Sequence, residues 1–391
     1  MAQAFERAGF DYLMFEDSLM VSDFYGNSMA TNLKYGSHGP KQDPLSLVPV
    51  IATQTKHIGL IATASTTFYP PYMLARTMST LSHISGGRIG WNMVTSSEKR
   101  AAQNFGVDFP AHDARYDRAD EFCAVVEQLW ESWDQDAMVM DRETNTYVDA
   151  SKVRTIDFEG KYFKSRGPLN SLPPLGGRPV YCQAGSSPRG RRFAAEHADT
   201  VLASVSGIEE MKTYRDQVRS QMSDLGRDPD SLKMLFIVVP FLADTLEEAQ
   251  ALKDRSQAPV EMLLCTLAAL TEIDFSRYDL DAPIDEEMET NGHRGYLDRF
   301  IASGAGGKTL REVAENFSIS SLDLVGTPDS VAAQMDEAMQ EVGGDGFLIS
   351  GISNRRQIAE ITEGLVPELQ RRGLTRTEYT EDTLRGNLFA F

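Results

Sequence analysis

Seven short runs of apolar residues, each followed by a stretch of helical periodicity, constrain this chain more than any other feature. The runs are DYLMFED (11–17), IGLIATAS (58–65), RIGWNMVT (88–95), PVYCQAG (179–185), TVLASV (200–205), KMLFIVVPFL (233–242) and DGFLIS (345–350). A strand with one wet face alternates apolar and polar residues. Continuous apolarity means burial on both faces, the condition of a parallel sheet wrapped in helices. The helical segments fall at 44–57, at 71–86, from Ala114 to about Trp133, over PRGRRFAAEHA, up to about Gly226, and from about Arg355 to Arg372. Regular alternation of the two defines an α/β fold. An open doubly wound sheet and a (β/α)8 TIM-type barrel both satisfy it. No Gly-x-Gly-x-x-Gly follows the first strand, which lowers the dinucleotide-binding reading and favours the barrel.

Seven strands are one short of such a barrel. The chain opens on MAQAFERAGF, an amphipathic helix that should have a strand before it. The expectation is that the first strand is missing from this chain, its natural reading frame starting upstream, or that the barrel closes unusually. Two stretches break the rhythm. Residues 134–178 contain FEGKYFKSRGP, a hairpin turning at Gly160, and residues 258–322 read as irregular and acidic around DLDAPIDEEMET. Both are expected to be loop insertions in a single barrel domain spanning 1–391.

Bulk properties exclude some function classes. A net charge of −19 argues against nucleic-acid binding, which needs a basic footprint, and against docking on anionic membranes. No apolar stretch is long enough to span a bilayer. Cys123, Cys182 and Cys265 are odd in number and widely separated, which fits a reducing cytoplasm and neither a disulfide framework nor a zinc site.

In a barrel the working residues sit at the C-terminal ends of the strands. Four of those ends are polar here: Asp17; Ser65, Thr66 and Thr67; Asn92 to Ser96; and Ala184-Gly185-Ser186-Ser187. Hydroxyl and amide groups in that place suit an uncharged heterocycle with many hydrogen-bonding edges, although Ser, Thr and Asp are also the preferred helix N-caps. QAGSSPRGRRFA adds a glycine for close approach, a proline in the first turn and a helix N-terminus, with Arg189, Arg191 and Arg192 beside it. A phosphate is the natural guest of such a turn, and an ordinary capped helix with solvated arginines is the alternative. His112 and Tyr116 lie four apart and can share a helix face.

Other features carry less. ASGAGGKT (302–309) looks like a phosphate-binding loop, but the segment before it is helical rather than a strand. GSSPRG lacks the second glycine of a hydrolase elbow. The six histidines show no metal-ligand spacing. Phe15, Phe68, Tyr69, Trp91 and Phe241 fall near strand ends, where they could favour a flat or apolar substrate or simply pack the core.

SGGRIGWNMVTS, AAQNFG, HDARYDRADEF, LWESWD, GPLN, QAGSSPRGRRFA and RTEYTEDTLRGNL occur in that order between about Phe5 and Leu388. Together they resemble the bacterial-luciferase-like flavin monooxygenases, in the branch of nitrilotriacetate, EDTA and dibenzothiophene-sulfone monooxygenases. The resemblance implies a (β/α) barrel and a two-component reaction. An NAD(P)H:flavin reductase would supply reduced FMN, used with O2 to oxygenate a small organic substrate of organosulfur, aminopolycarboxylate or haloaromatic type. It would place Asp17, Ser65, Asn92 and Thr95 around the isoalloxazine and ribityl chain, and His112, Tyr116, Ser186 and Ser187 at the ribityl and phosphate end. It implies no metal, no protein nucleophile, and a homodimer or homotetramer. It also implies a first strand and an aromatic- and His-bearing loop ahead of Met1 that would help form the substrate face. A deazaflavin-dependent oxidoreductase and a non-catalytic flavin-binding relative are the alternatives.

Overall fold

The computed structural model describes residues 1–391. Its frame is one parallel sheet of β1 (Tyr12–Phe15), β2 (Gly59–Ser65), β3 (Ile89–Val94), β4 (Val180–Gln183), β5 (Thr200–Ala203), β6 (Lys233–Val238) and β7 (Gly346–Ile349). Each strand pairs with the next in the chain. The central strands β2, β4 and β5 are buried along their whole length, as continuous apolar runs require.

The sheet curls into a barrel. Tyr12 on β1 and Thr200 on β5 approach to 3.2 Å through their hydroxyls, whereas a flat sheet would hold strands four places apart at roughly 19 Å. Interior side chains accordingly form one cluster, with Tyr12, Ile61, Cys182 and Leu202 at its centre. Helices cover the outside, among them α1 (Pro71–Ser85), α2 (His112–Trp130) and α3 (Pro188–His197). The two sides of β3 show the division. Trp91 faces outward into the helix layer, fully buried, with its Nε1 donating to the Ala64 carbonyl at 2.9 Å. Asn92 faces the interior.

β1 and β7 do not pair with each other. A cleft separates them, lined by Phe10, Tyr12, Met14, Leu235, Phe347 and Ile349 among others, at the eighth position of a barrel. The expectation of a seven-stranded frame thus describes the sheet as it stands.

Several local expectations change. The helix read over 44–57 ends at Ala52, and the one read from Ala114 starts at His112 and stops at Trp130. KMLFIVVPFL is not one strand. It stops at Val238, and beyond Pro240 the pair Phe241–Leu242 joins Val325–Gly326 in a separate two-stranded ladder. Residues 134–178 hold two hairpins, and the one at Phe158–Ser165 has Gly160 at its turn, as read. The Glu121 carboxylate fastens that turn by accepting from the N–H groups of Lys161, Tyr162 and Phe163 at 2.7–2.9 Å.

Residues 258–322 are not irregular. They contain helices Val260–Thr271, α4 (Arg294–Ser303) and Leu310–Asn316, with their own apolar cluster around Leu264, Phe275, Phe300 and Val313. The acidic run at 279–289 masked the amphipathic segments on either side of it.

The lower end of the barrel is closed by α5 (Leu384–Ala390), whose Leu384 and Leu388 enter the interior cluster. A side chain at Gly59 would overlap Leu384, so the start of β2 needs glycine. Buried Asp199 locks this plug. It accepts from Arg178 on one side, from Arg385 of α5 on the other, and from the Tyr181 N–H at 2.8 Å. No helix is long and apolar enough to cross a membrane.

Candidate functional site

The C-terminal rim of the barrel carries a cavity with 25 lining residues, of which only seven are hydrophobic. A pocket so polar is built for a ligand with many hydrogen-bonding edges. Asp17 follows β1, Thr63 to Ser65 end β2, and Met93 to Glu98 end β3 and lead onward. His112, Arg115 and Tyr116 come from the first turns of α2, Gln183 to Ser187 join β4 to α3, and Gly292 to Tyr296 cross over from the insertion.

Of the eight residues singled out from the sequence, Asp17, Ser65, Thr95, His112, Tyr116, Ser186 and Ser187 line this one cavity. Asn92 does not. Strand alternation places it one layer below the rim, where its Nδ2 donates to Thr63 Oγ1 at 2.8 Å and Thr63 in turn donates to the Phe15 carbonyl at 2.7 Å. It supports the floor rather than lining it.

The rim is held by its own hydroxyls. Ser96, at a positive φ of 53°, donates to Ser65 Oγ at 2.8 Å, and Ser65 Oγ accepts from the N–H of Thr67. Thr67 Oγ1 donates to the Thr95 carbonyl at 2.7 Å, tying the β2 turn to the β3 turn. A non-glycine residue in the left-handed region is costly, and it clusters at functional sites. Ser187 caps α3, accepting from the Gly190 N–H at 3.0 Å, while Tyr214 donates to the Gly185 carbonyl at 2.8 Å. The rings of His112 and Tyr116 lie 5.3 Å apart on one helix face.

Burial shapes the titratable groups. It pushes the Asp17 carboxyl up, opposed by the Ser18 N–H and Lys41. It pushes the Tyr116 phenol up, countered by the hydroxyls of Ser187 and Thr95. His293, in the crossing segment, is held below its ordinary value, first by burial and then by nearby Arg115, His38 and His112, with Glu98 opposing.

Two expectations about this rim are corrected. Arg189 does not face the Ser186-Ser187 turn but pairs with Asp117 (3.2 Å) and Asp120 of α2. Arg191 donates to the Ser186 carbonyl, and Arg192 is exposed. The cavity's arginines are Arg115 and Arg294. Nor do the five aromatics line it. Trp91 is core, Phe15 and Tyr69 pack against that core, Phe68 stacks on Phe105 at 4.8 Å, and Phe241 belongs to the small ladder.

Sequence reasoning missed the crossing segment NGHRGY (291–296). Its one local signal is a glycine-flanked His-Arg pair just ahead of an apolar-periodic stretch. It also missed Ser18, Ser97 and Gln183. Each lines the cavity with a buried polar atom that no protein group satisfies, namely Ser18 Oγ, Ser97 Oγ and Gln183 Oε1. Buried polar atoms are rarely left unpaired, so these point to a ligand. Asp120, Glu196 and His197 bring three possible metal-ligand atoms together outside the cavity, but Asp120 is already engaged by Arg189 and His197.

A parallel α/β barrel with a polar cavity at the C-terminal rim defines an enzyme of the TIM-barrel type, in which loop residues carry the chemistry. Comparison with known proteins makes the class specific. The family model for luciferase-like monooxygenases matches residues 1–346. A dibenzothiophene-sulfone monooxygenase of Rhodococcus erythropolis is 37% identical over 400 residues, covering 99% of this chain and 88% of its own. The crystal structure of a long-chain alkane monooxygenase superposes with a TM-score of 0.89 at 36% identity, covering 99% of this chain and 86% of that one. A riboflavin lyase, solved with modified FMN and riboflavin, gives a TM-score of 0.93 at 33% identity, covering 100% of this chain and 87% of that one. The chain belongs to the luciferase-like monooxygenase family and is an oxidoreductase of that kind.

Proposed function

We propose that the rim cavity binds reduced FMN supplied by a separate NAD(P)H:flavin reductase, and that the enzyme uses it with O2 to oxygenate a small organic molecule. The observation that carries this reading is the set of unsatisfied polar atoms at Ser18, Ser97 and Gln183 in a cavity where seven of 25 lining residues are hydrophobic. That donor and acceptor set fits a flavin, whose ring and ribityl chain present alternating acceptors and donors. When bound, the flavin supplies the electrons and the activation of oxygen. The named relatives point the same way, one to a sulfone and another to an alkane.

The chain's own residues bind, orient and keep out water. Ser65, Thr95 and Ser97 offer hydroxyls from the ends of β2 and β3. Tyr116, Ser186 and Ser187 form the opposite wall at the α3 N-terminus, where backbone N–H groups and the helix dipole favour a phosphate. Asp17 keeps its proton to higher pH than an exposed aspartate because burial disfavours its charged form. His293, disfavoured as a cation, presents a neutral imidazole at the cavity wall. The insertions at 134–178 and 258–322 belong to one barrel unit, the second of them supplying the cavity's outer wall.

The test supplies NADH, a flavin reductase, FMN and 18O2 with a panel containing an aryl sulfone, a dialkyl sulfide, an n-alkane and an aminopolycarboxylate. Incorporation of one 18O atom into a product of any of them supports the reading. Reduced deazaflavin giving hydride transfer, with no labelled product from FMN, would replace it.

A further inference from the structure

We propose that Glu272 positions two walls of the rim cavity against each other, so that ligand affinity depends on a side chain that does not itself reach the cavity. The proposal rests on the flavin reading above. One wall is the turn Ser96-Ser97-Glu98 after β3, and the other is the crossing segment Gly292 to Tyr296. The end of helix Val260–Thr271, with Glu272 as its C-cap, bonds to both. On the first side, the Glu272 carboxylate accepts from the Lys99 N–H, across 173 residues of sequence. Lys99 opens the short helix Lys99–Asn104, whose own N-cap, Glu98, makes no side-chain cap bond. On the second side, the Leu270 carbonyl accepts from the His293 N–H at 2.9 Å. The Thr271 carbonyl accepts from Thr290 Oγ1, which in turn accepts from the Gly292 N–H at 2.7 Å. The fit is close, since a Cβ on Gly292 would overlap the Leu270 carbonyl.

Glu272 holds this place at a backbone cost. Its φ is 61° and its ψ 20°, the left-handed conformation that a helix end usually gives to glycine. Such strain persists only where the surroundings over-determine it, and here the side chain gains the Lys99 N–H. Ser96, in the turn just before Lys99, is strained in the same way at a φ of 53°. No other hydrogen bond or ion pair joins residues 95–105 to the 258–322 insertion. Loss of that one bond would therefore let the two walls part. Ser97 shows why their spacing matters. It is 4% exposed, and its Oγ lines the cavity with no protein partner. A buried hydroxyl of this kind makes its bond to a ligand only while the turn that carries it is held in place. Glu272 does not line the cavity, so its role is positioning.

Anaerobic titration of reduced FMN into the wild-type chain, Glu272→Gln and Glu272→Gly, with a thermal melt of each, tests this. Glutamine keeps an acceptor oxygen for the Lys99 N–H, whereas glycine removes it and relieves the strained backbone. The expected result is that Glu272→Gly binds reduced FMN roughly fivefold more weakly, or worse, while its melting temperature stays within a few degrees of the wild type. Glu272→Gln should bind within about twofold of the wild type, because the acceptor is retained. Amide hydrogen exchange over residues 96–105, which needs no flavin, should be faster in Glu272→Gly alone. Equal affinity in all three proteins, or equal loss in both variants, would overturn the proposal. So would a melting temperature that collapses together with affinity, which would make Glu272 merely structural. Unchanged exchange would overturn it whatever the flavin does. If the wild-type chain does not bind reduced FMN, the flavin reading itself fails, and exchange alone decides the Glu272 contact.

Discussion

The backbone N–H of His112 donates to the side chain of Asn291 at 3.0 Å, across 179 residues of sequence. Asn291 also accepts from Arg115 through its own carbonyl at 2.9 Å and donates to the Pro110 carbonyl at 3.3 Å. One insertion residue thus holds the first turn of α2, which supplies His112, Arg115 and Tyr116 to the cavity. Asn291→Ala removes the side-chain bonds and keeps the carbonyl contact. The expected cost is about 1 kcal/mol in urea unfolding, together with a larger KM for the oxygenated substrate because the crossing segment loosens.

Gly295 is required by contact rather than by backbone conformation, since its φ is not in the left-handed region. Gly295→Ala would push α4 away from Ser186. FMN binding should weaken by roughly tenfold while the melting temperature moves by only a few degrees. Fluorescence titration alongside a thermal melt separates the two effects.

Asp17 predicts a pH dependence. Its folded pKa lies above the ordinary aspartate value of 3.8, with burial as the largest cause. Between those two values the folded-state Asp17 binds more protons than the unfolded-state one, so the contribution of this group to stability falls as pH rises through that window and stays lower above it. Asp17→Asn should therefore raise the melting temperature at pH 7 and leave it nearly unchanged at a pH below the ordinary aspartate pKa. A difference in melting temperature between Asp17→Asn and wild type that fails to grow in the variant's favour from acid to pH 7 would contradict the assignment.

At the other end of the barrel, Asp199 is 2% exposed and pairs with both Arg178 and Arg385. Asp199→Ala removes the shared acceptor of two partly exposed guanidinium groups, leaving Arg178 with Glu127 at 3.9 Å and the His197 carbonyl, and should cost about 1–3 kcal/mol. Because the change is remote from the rim, the protein that remains folded should keep its flavin affinity. Urea unfolding and a binding titration on the same samples check both statements.

The frame was legible because the central strands, buried on both faces, have no freedom to alternate; six of the seven runs match their strands within a residue or two, and the sixth overruns Val238 by four residues, through Pro240 into the small ladder. The rim was legible for the same reason in reverse, since Asp17, Ser65, Thr95, Ser186 and Ser187 end apolar runs on the side where the cavity opens, Ser187 capping α3 as well. Asn92 sits deeper than expected, two residues before the strand's end, with its Nδ2 on Thr63 Oγ1 and its Oδ1 buried without a protein partner. Arg189 misled because its acidic partners lie 69 and 72 positions away, beyond any local pattern. The segment from Asn291 to Tyr296 could not be read at all: what brings it over the cavity is the packing of the insertion's own helices.

The most direct test of the account is an anaerobic titration of reduced FMN into the wild-type chain and into Thr95→Tyr, which fills the cavity from the end of β3. The account predicts saturable one-to-one binding to the wild type and loss of binding in the variant, with both proteins folded by circular dichroism. Absence of saturation at millimolar reduced FMN, or equal affinity in the two proteins, would contradict it.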